Sequence, residues 1–241
     1  VLGSRGLGDV YKRQMIQRLL KETKGQLVSF NGGTKDNAIP RECEASLIYE
    51  SDEEAAKAEE LACELAETYA EELTPAEPDF SCEISCETNR TAEAIPQDAA
   101  KEFICAMRLA PNGIQKRNIK MDGFVVVSLN LGVVRTEEDR IVMIFSPRSS
   151  VASLQEDTKE RLNTLAETFG FTVSHSSEYP GWSFKEDSPV REICKESYKE
   201  LFGEDLKIEA IHAGLECGLF SDAITGLDAL SLIHISEPTR P

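Results

Sequence analysis

The sequence predicts an α+β fold: an antiparallel sheet covered on one face by helices, followed by a shorter α/β segment. Three observations point there. Long stretches place apolar residues at three- and four-residue spacing, as one-sided helices do. Two runs rich in Val, Ile and Leu flank a polar turn, the pattern of a hairpin. The composition then changes at Tyr179-Pro180-Gly181-Trp182, which marks a break between two layered regions.

Ser51 opens a capping box with Glu54. Ala55, Ala58, Leu61, Leu65, Tyr69 and Leu73, with Ala62 and Ala66 beside them, then form one helix stripe that ends at Thr74-Pro75. Residues 80–86 read as a strand on which Cys82 and Cys86 share a face, since strand side chains alternate. A second helix follows Pro96, is expected to bury Ala99, Phe103, Ala106 and Met107, and stops before Pro111-Asn112-Gly113. Strands are expected at 123–131 and 140–145, joined by a turn at 135–139. The third helix covers 151–169, with Leu154, Leu162, Leu165 and Ala166 inward and Gly170 as its stop. Beyond the break, Ser188 and Pro189 start a helix whose apolar side carries Ile193, Cys194 and Leu201, and Gly203 closes it. A short strand at 206–211 then hands the chain to a Gly-rich stretch.

The charge balance, 26 Lys+Arg against 43 Asp+Glu, gives a net −17. Such a surface repels phosphate backbones and excludes nucleic acid as a partner. No apolar run approaches the roughly 20 residues of a membrane span, so no membrane partner is expected. With 241 residues the chain can bury a substantial core. Seven cysteines without a CxxC or a His-rich partner segment read as reduced thiols in a cytoplasmic protein.

The most informative segment is Ile211-His212-Ala213-Gly214-Leu215-Glu216-Cys217-Gly218-Leu219-Phe220. There a His, two Gly, a Glu and a Cys follow directly on an apolar run, bringing polar atoms and bare backbone to one spot. Together with Phe30-Asn31-Gly32-Gly33-Thr34 and Asn37-Ala38-Ile39-Pro40-Arg41, it resembles the aminoacyl-histidine dipeptidases, the peptidase D or Xaa-His dipeptidase family of zinc metallopeptidases. The resemblance implies a cytoplasmic two-zinc enzyme built from an α/β catalytic domain and an inserted α+β lid, hydrolysing Xaa-His and related unblocked dipeptides. It assigns 15–178 to the lid and dimerisation domain and 179–229 to a partial return into the catalytic domain. A homodimer through the lid is expected, by a two-fold contact. Residues 1–14 and 230–241 resemble translated sequencing adapter and are expected to lie outside the native fold. Two other functions fit the same residues: a related amidohydrolase or carboxypeptidase of the superfamily, and a non-enzymatic lid-like binding or dimerisation module.

The resemblance also decides which residues to watch. The family's zinc ligands lie in a His-x-Asp segment, an Asp-containing segment, a Glu-Glu pair and a further acidic residue upstream, and in a downstream His. None of those segments occurs in this chain, so it is expected to hold no catalytic residue and to bind no zinc by itself. Thr136-Glu137-Glu138 imitates the Glu-Glu pair but falls in the predicted polar turn. Arg148 matches the arginine aimed at the dipeptide's terminal carboxylate, where a planar guanidinium can bind both oxygens. Asn37 would donate to the substrate carbonyl or its developing oxyanion, although Asn also suits a turn for its geometry alone. Asn130 is a candidate of the same kind. Gly214 would let backbone amides approach the substrate carboxylate, with Glu216 fixing that loop or meeting a substrate amino group, and His212 orienting its neighbours.

Overall fold

The computed structural model describes residues 2–5, 8–74, 77–119, 123–176, 181–182, 185, 187–208 and 216–232. In chain order the elements are β1 (Leu2–Arg5), α1 (Gly8–Glu22), β2 (Gln26–Gly32), β3 (Glu42–Ile48), α2 (Asp52–Leu73), β4 (Ser81–Ile84) and α3 (Gln97–Leu109). They continue as β5 (Gly113–Asn118), β6 (Phe124–Thr136), β7 (Ile141–Ser149), α4 (Ala152–Thr168), α5 (Pro189–Phe202) and α6 (Glu216–Ala223). The strands run in the order β4-β1-β3-β2-β6-β5, and β7 pairs with β6. The expected antiparallel sheet with helices against it is what the structure contains. Contacts divide the chain into two compact units: Val1–Gly113 with Leu129–Ser146 and Arg161–Val173, and Ile114–Ser128 with Pro147–Glu160 and Ser174–Pro241.

In the first unit, α1, α2 and α3 pack on the sheet and share one core with it. Leu27, Phe30 and Ala45 rise from the sheet to meet Ile16 and Leu19 of α1, and Phe103 lies edge-on to Phe30 at 5.7 Å between ring centroids. Burying one such apolar side chain contributes about 1.5–3 kcal/mol. β3 alternates cleanly, with Glu42 and Glu44 outward and Cys43 and Ala45 inward. β2 does not. Its register against β3 shifts between Leu27 and Ser29, which turns Phe30 onto the same buried face as Leu27.

The α2 stripe is as predicted: Ser51 Oγ accepts from the Glu54 N–H, and Ala58, Ala62, Leu65, Tyr69 and Leu73 are buried. α3 is rotated slightly from expectation, burying Ala100 and Ile104 while Ala99 is exposed. β4 ends at Ile84, so Cys86 lies beyond the strand and does not share its face with Cys82. The 123–131 and 140–145 strands are found but each extends further, and the Glu137 N–H bonds the Arg140 carbonyl at 2.8 Å across the turn.

Residues 1–14 were expected to be adapter-derived and not native; whatever their origin, the described members of that stretch are placed in the fold. β1 lies between β3 and β4 and pairs antiparallel with both, Ser4 facing Cys43 on one side and Cys82 on the other. The pairing satisfies backbone groups that would otherwise form open edges. Gly8–Glu22 is one continuous helix, and the buried Arg13 donates to the Met107 carbonyl at 2.7 Å. At the other end, 230–232 form no regular element and 233–241 lie outside the described residues. The expected boundary near residue 178 also lies outside them.

In the second unit α5 begins as the sequence requires. Ser188 Oγ accepts from the Arg191 N–H, Pro189 takes the first turn, and Gly203 closes the helix at φ 72°. Asp228 completes this cap: its carboxylate accepts from Ser188 Oγ at 2.8 Å and from the Val190 N–H at 3.0 Å. The expected strand at 206–211 is not formed at 206–208, and its remainder lies outside the described residues. The Gly-rich stretch is not all loop either, because Glu216 starts α6.

Candidate functional site

The site grows from the connection between β2 and β3. Gly33 continues the ladder, its N–H bonding the Glu42 carbonyl at 3.1 Å, and then turns the chain at φ 72°. A Cβ at Gly33 would stand 1.9 Å from the Gly132 carbonyl oxygen, and one at Gly132 would stand 2.2 Å from that of Asp36. The 33–38 loop therefore lies directly on the backbone of β6, and only glycines permit that approach. Pro40 is buried, whereas Asn37 and Ile39 point outward.

Asn37 sits at the crest of this loop. Its backbone N–H is held by Asp36 Oδ1 at 2.9 Å, and its carboxamide makes no hydrogen bond among the described residues. That leaves two donors and an acceptor directed away from the fold, as an amide that meets a carbonyl requires. Asn130, expected as a second such amide, has a different place. Its Nδ2 donates to the Asp36 carbonyl at 2.9 Å and to the Ala38 carbonyl at 2.7 Å. Both N–H groups are thereby committed within the protein, and Asn130 cannot offer them to a substrate as arranged. Beside the loop, Gly33, Lys35, Asp36, Val133, Arg135 and Ile144 are among the lining of a shallow depression of about 550 Å³.

Arg148 is the penultimate residue of β7, a strand that among the described residues pairs only with β6 and so tolerates Pro147 within it. Arg148 as a residue is half-buried and makes no hydrogen bond or ion pair among the described residues. Just beyond it the chain is packed closely, since a Cβ at Gly181 would lie 3.0 Å from the Ser149 carbonyl oxygen. A guanidinium carried on a strand can bind a carboxylate bidentately.

Glu137 is indeed a turn residue. Its carboxylate accepts from Arg140 Nε at 2.7 Å and lies 3.5 Å from Arg135, and that bond raises the Arg140 pKa above its ordinary value. Gly214 and His212 lie outside the described residues, and Glu216 is described only as the first residue of α6. His175 is exposed. Among the described residues no three His, Cys, Asp or Glu side chains converge, so those residues do not fit a two-zinc centre. What sequence reasoning missed is the part played by Asp36 and Gly132. The one available signal was a glycine inside an apolar strand, which often marks close approach of another backbone.

No family model matches the chain. It is similar to the cytosol non-specific dipeptidase of Escherichia coli (strain K12), at 32% identity over 235 residues, covering 94% of this chain and 47% of that protein. Among solved structures, the aminoacylhistidine dipeptidase from Vibrio alginolyticus matches with a TM-score of 0.79 at 31% identity, covering 92% of this chain and 48% of that one. The chain thus spans about half the length of the relatives it matches. Sequence and fold agree across more than nine-tenths of its residues, so over this span the chain matches dipeptidases of the aminoacyl-histidine, or peptidase D, family.

Proposed function

We propose that this chain is the substrate-holding part of a cytoplasmic zinc dipeptidase that hydrolyses Xaa-His and related unblocked dipeptides. The observation that best supports the reading is the match, at 31–32% identity, to two proteins both named as dipeptidases. Residue chemistry, taken one residue at a time, adds to it: the exposed Asn37 carries an amide suited to a peptide carbonyl, and the half-buried Arg148 a guanidinium suited to a terminal carboxylate. Gly214 and Glu216 complete this reading as contacts to the substrate's ends. In the complete enzyme two zinc ions would activate the attacking water. Their ligands are not assembled by the described residues, so no step of the reaction is assigned to residues of this chain, which by itself is expected to be inert. Pairing is through the lid, as a homodimer.

Gene product carrying the complete catalytic machinery, incubated with zinc and Gly-His, should release free histidine, stop doing so under a chelator, and leave N-acetyl-Gly-His intact. The purified 241-residue chain should cleave neither. Cleavage of the acetylated peptide alone would replace the dipeptidase reading with another hydrolase. Tight stoichiometric zinc uptake with Gly-His hydrolysis by the 241-residue chain would overturn the assignment of the metal ligands elsewhere.

A further inference from the structure

We propose that Asn130 is a positioning residue, a clamp that fixes the turn presenting Asn37; its meaning for catalysis rests on the reading of Asn37 as the amide that meets the substrate. The carbonyls of Asp36 and Ala38 stand on either side of Asn37 in the chain, and both face the Asn130 carboxamide, at 2.9 and 2.7 Å. Carbonyl oxygens only accept, so the nitrogen must face them, and each of its two N–H groups has one partner. Gripping the chain immediately before and after position 37 leaves that residue little backbone freedom.

The turn has few other ties. The Ala38 N–H reaches the Lys35 carbonyl at 3.3 Å, and among the described residues the Asn37 N–H reaches only the neighbouring Asp36 side chain. Beneath it, Gly132 gives Asp36 room to lie on β6. Asn130 and Gly132 are two residues apart on one strand and so share a face, and both meet this turn. One residue supplies the hydrogen bonds and the other the close approach. A donor held this way is in place before substrate arrives and needs no reorganisation during the reaction.

The test is amide hydrogen exchange, followed by NMR, on the 241-residue chain and on its Asn130→Asp and Asn130→Ser variants. Asp matches Asn in shape, but when ionised it has no donor and sets its oxygens against two carbonyls; Ser is too short to span them. Exchange at Asn37 and Ala38 should quicken roughly tenfold or more, as expected when a pair of hydrogen bonds is lost. Amides of the β2–β3 ladder should keep their rates. Unchanged exchange at Asn37 and Ala38 would overturn the clamp. Should both variants fail to fold, the unaltered chain decides: slow exchange of Asn130's own carboxamide protons supports the clamp, and exchange as fast as an exposed carboxamide refutes it. Titration with Gly-His separates the two readings. A shift of the Asn37 side-chain amide that needs several-fold more dipeptide in Asn130→Ser supports positioning. Equal affinity despite a loosened turn refutes it. No shift in the unaltered chain, with the turn still loosened by the variants, keeps the clamp and removes Asn37 from the substrate site.

Discussion

Arg148 is half-buried on a strand and unpaired among the described residues, so its value should lie in what binds it. In the complete enzyme Arg148→Ala is expected to raise KM for dipeptides with a free carboxylate by roughly tenfold to a hundredfold, the range of a charged hydrogen-bonded pair. The corresponding dipeptide amides should be affected little, and steady-state kinetics on both substrates would check this. Gly33 carries a different kind of constraint. Its Cβ would collide with a backbone atom of Gly132, while one at Gly170, also at positive φ, would meet nothing within 4 Å. Gly170→Ala should therefore cost only the conformational penalty of about 1–2 kcal/mol. Gly33→Ala should cost clearly more, by about 1–3 kcal/mol for the added overlap. Urea midpoints of the two variants measure the difference. At this scale the sequence was legible in part: the family resemblance singled out Asn37 and Arg148 as candidates, but the commitment of Asn130 to two carbonyls could not be read. Those carbonyls lie more than 90 residues away in the chain.

Elements were legible where one face alone decides them. The α2 stripe and its Ser51 cap follow from spacing, because a helix between solvent and a core must repeat every 3.6 residues. β2 was missed because its bulge breaks the alternation by which a strand is recognised. The start of α5 is a local device with a predictable response to acid. The Val190 N–H, and after it the Ser188 hydroxyl, hold the Asp228 pKa below its ordinary value, while partial desolvation opposes them. A carboxylate depressed in the folded state stabilises fully above its unfolded value near 3.9, and that contribution is lost as pH falls through this range. The thermal stability of the chain should exceed that of Asp228→Asn at pH 7, and the gap should narrow steadily as pH falls from about 5 to 3. A constant gap would mean that Asp228 acts by shape and not by charge. Ser188→Ala removes the shared hydroxyl and should cost about 1 kcal/mol in unfolding free energy.

At the scale of the whole molecule, the net charge of −17 repels a phosphate backbone, and among the described residues no helix is long and apolar enough to cross a membrane. The proposed lid pairing predicts that the chain sediments as a dimer at micromolar concentration; a monomer at all concentrations would place the dimer contact elsewhere or nowhere. Residue order by itself determined the fold class, the helices α2 to α5 and the hairpin, since periodicity, caps and turn residues are properties of neighbours in the chain, and its motifs carried the family resemblance; α1 was not foreseen. Only the tertiary structure decided that 2–5 pair between β3 and β4, that the 33–38 loop rests on Gly132, and that Asn130 serves the loop instead of facing outward. Those outcomes depend on which distant backbone atoms come within bonding distance, and no local pattern of side chains encodes that.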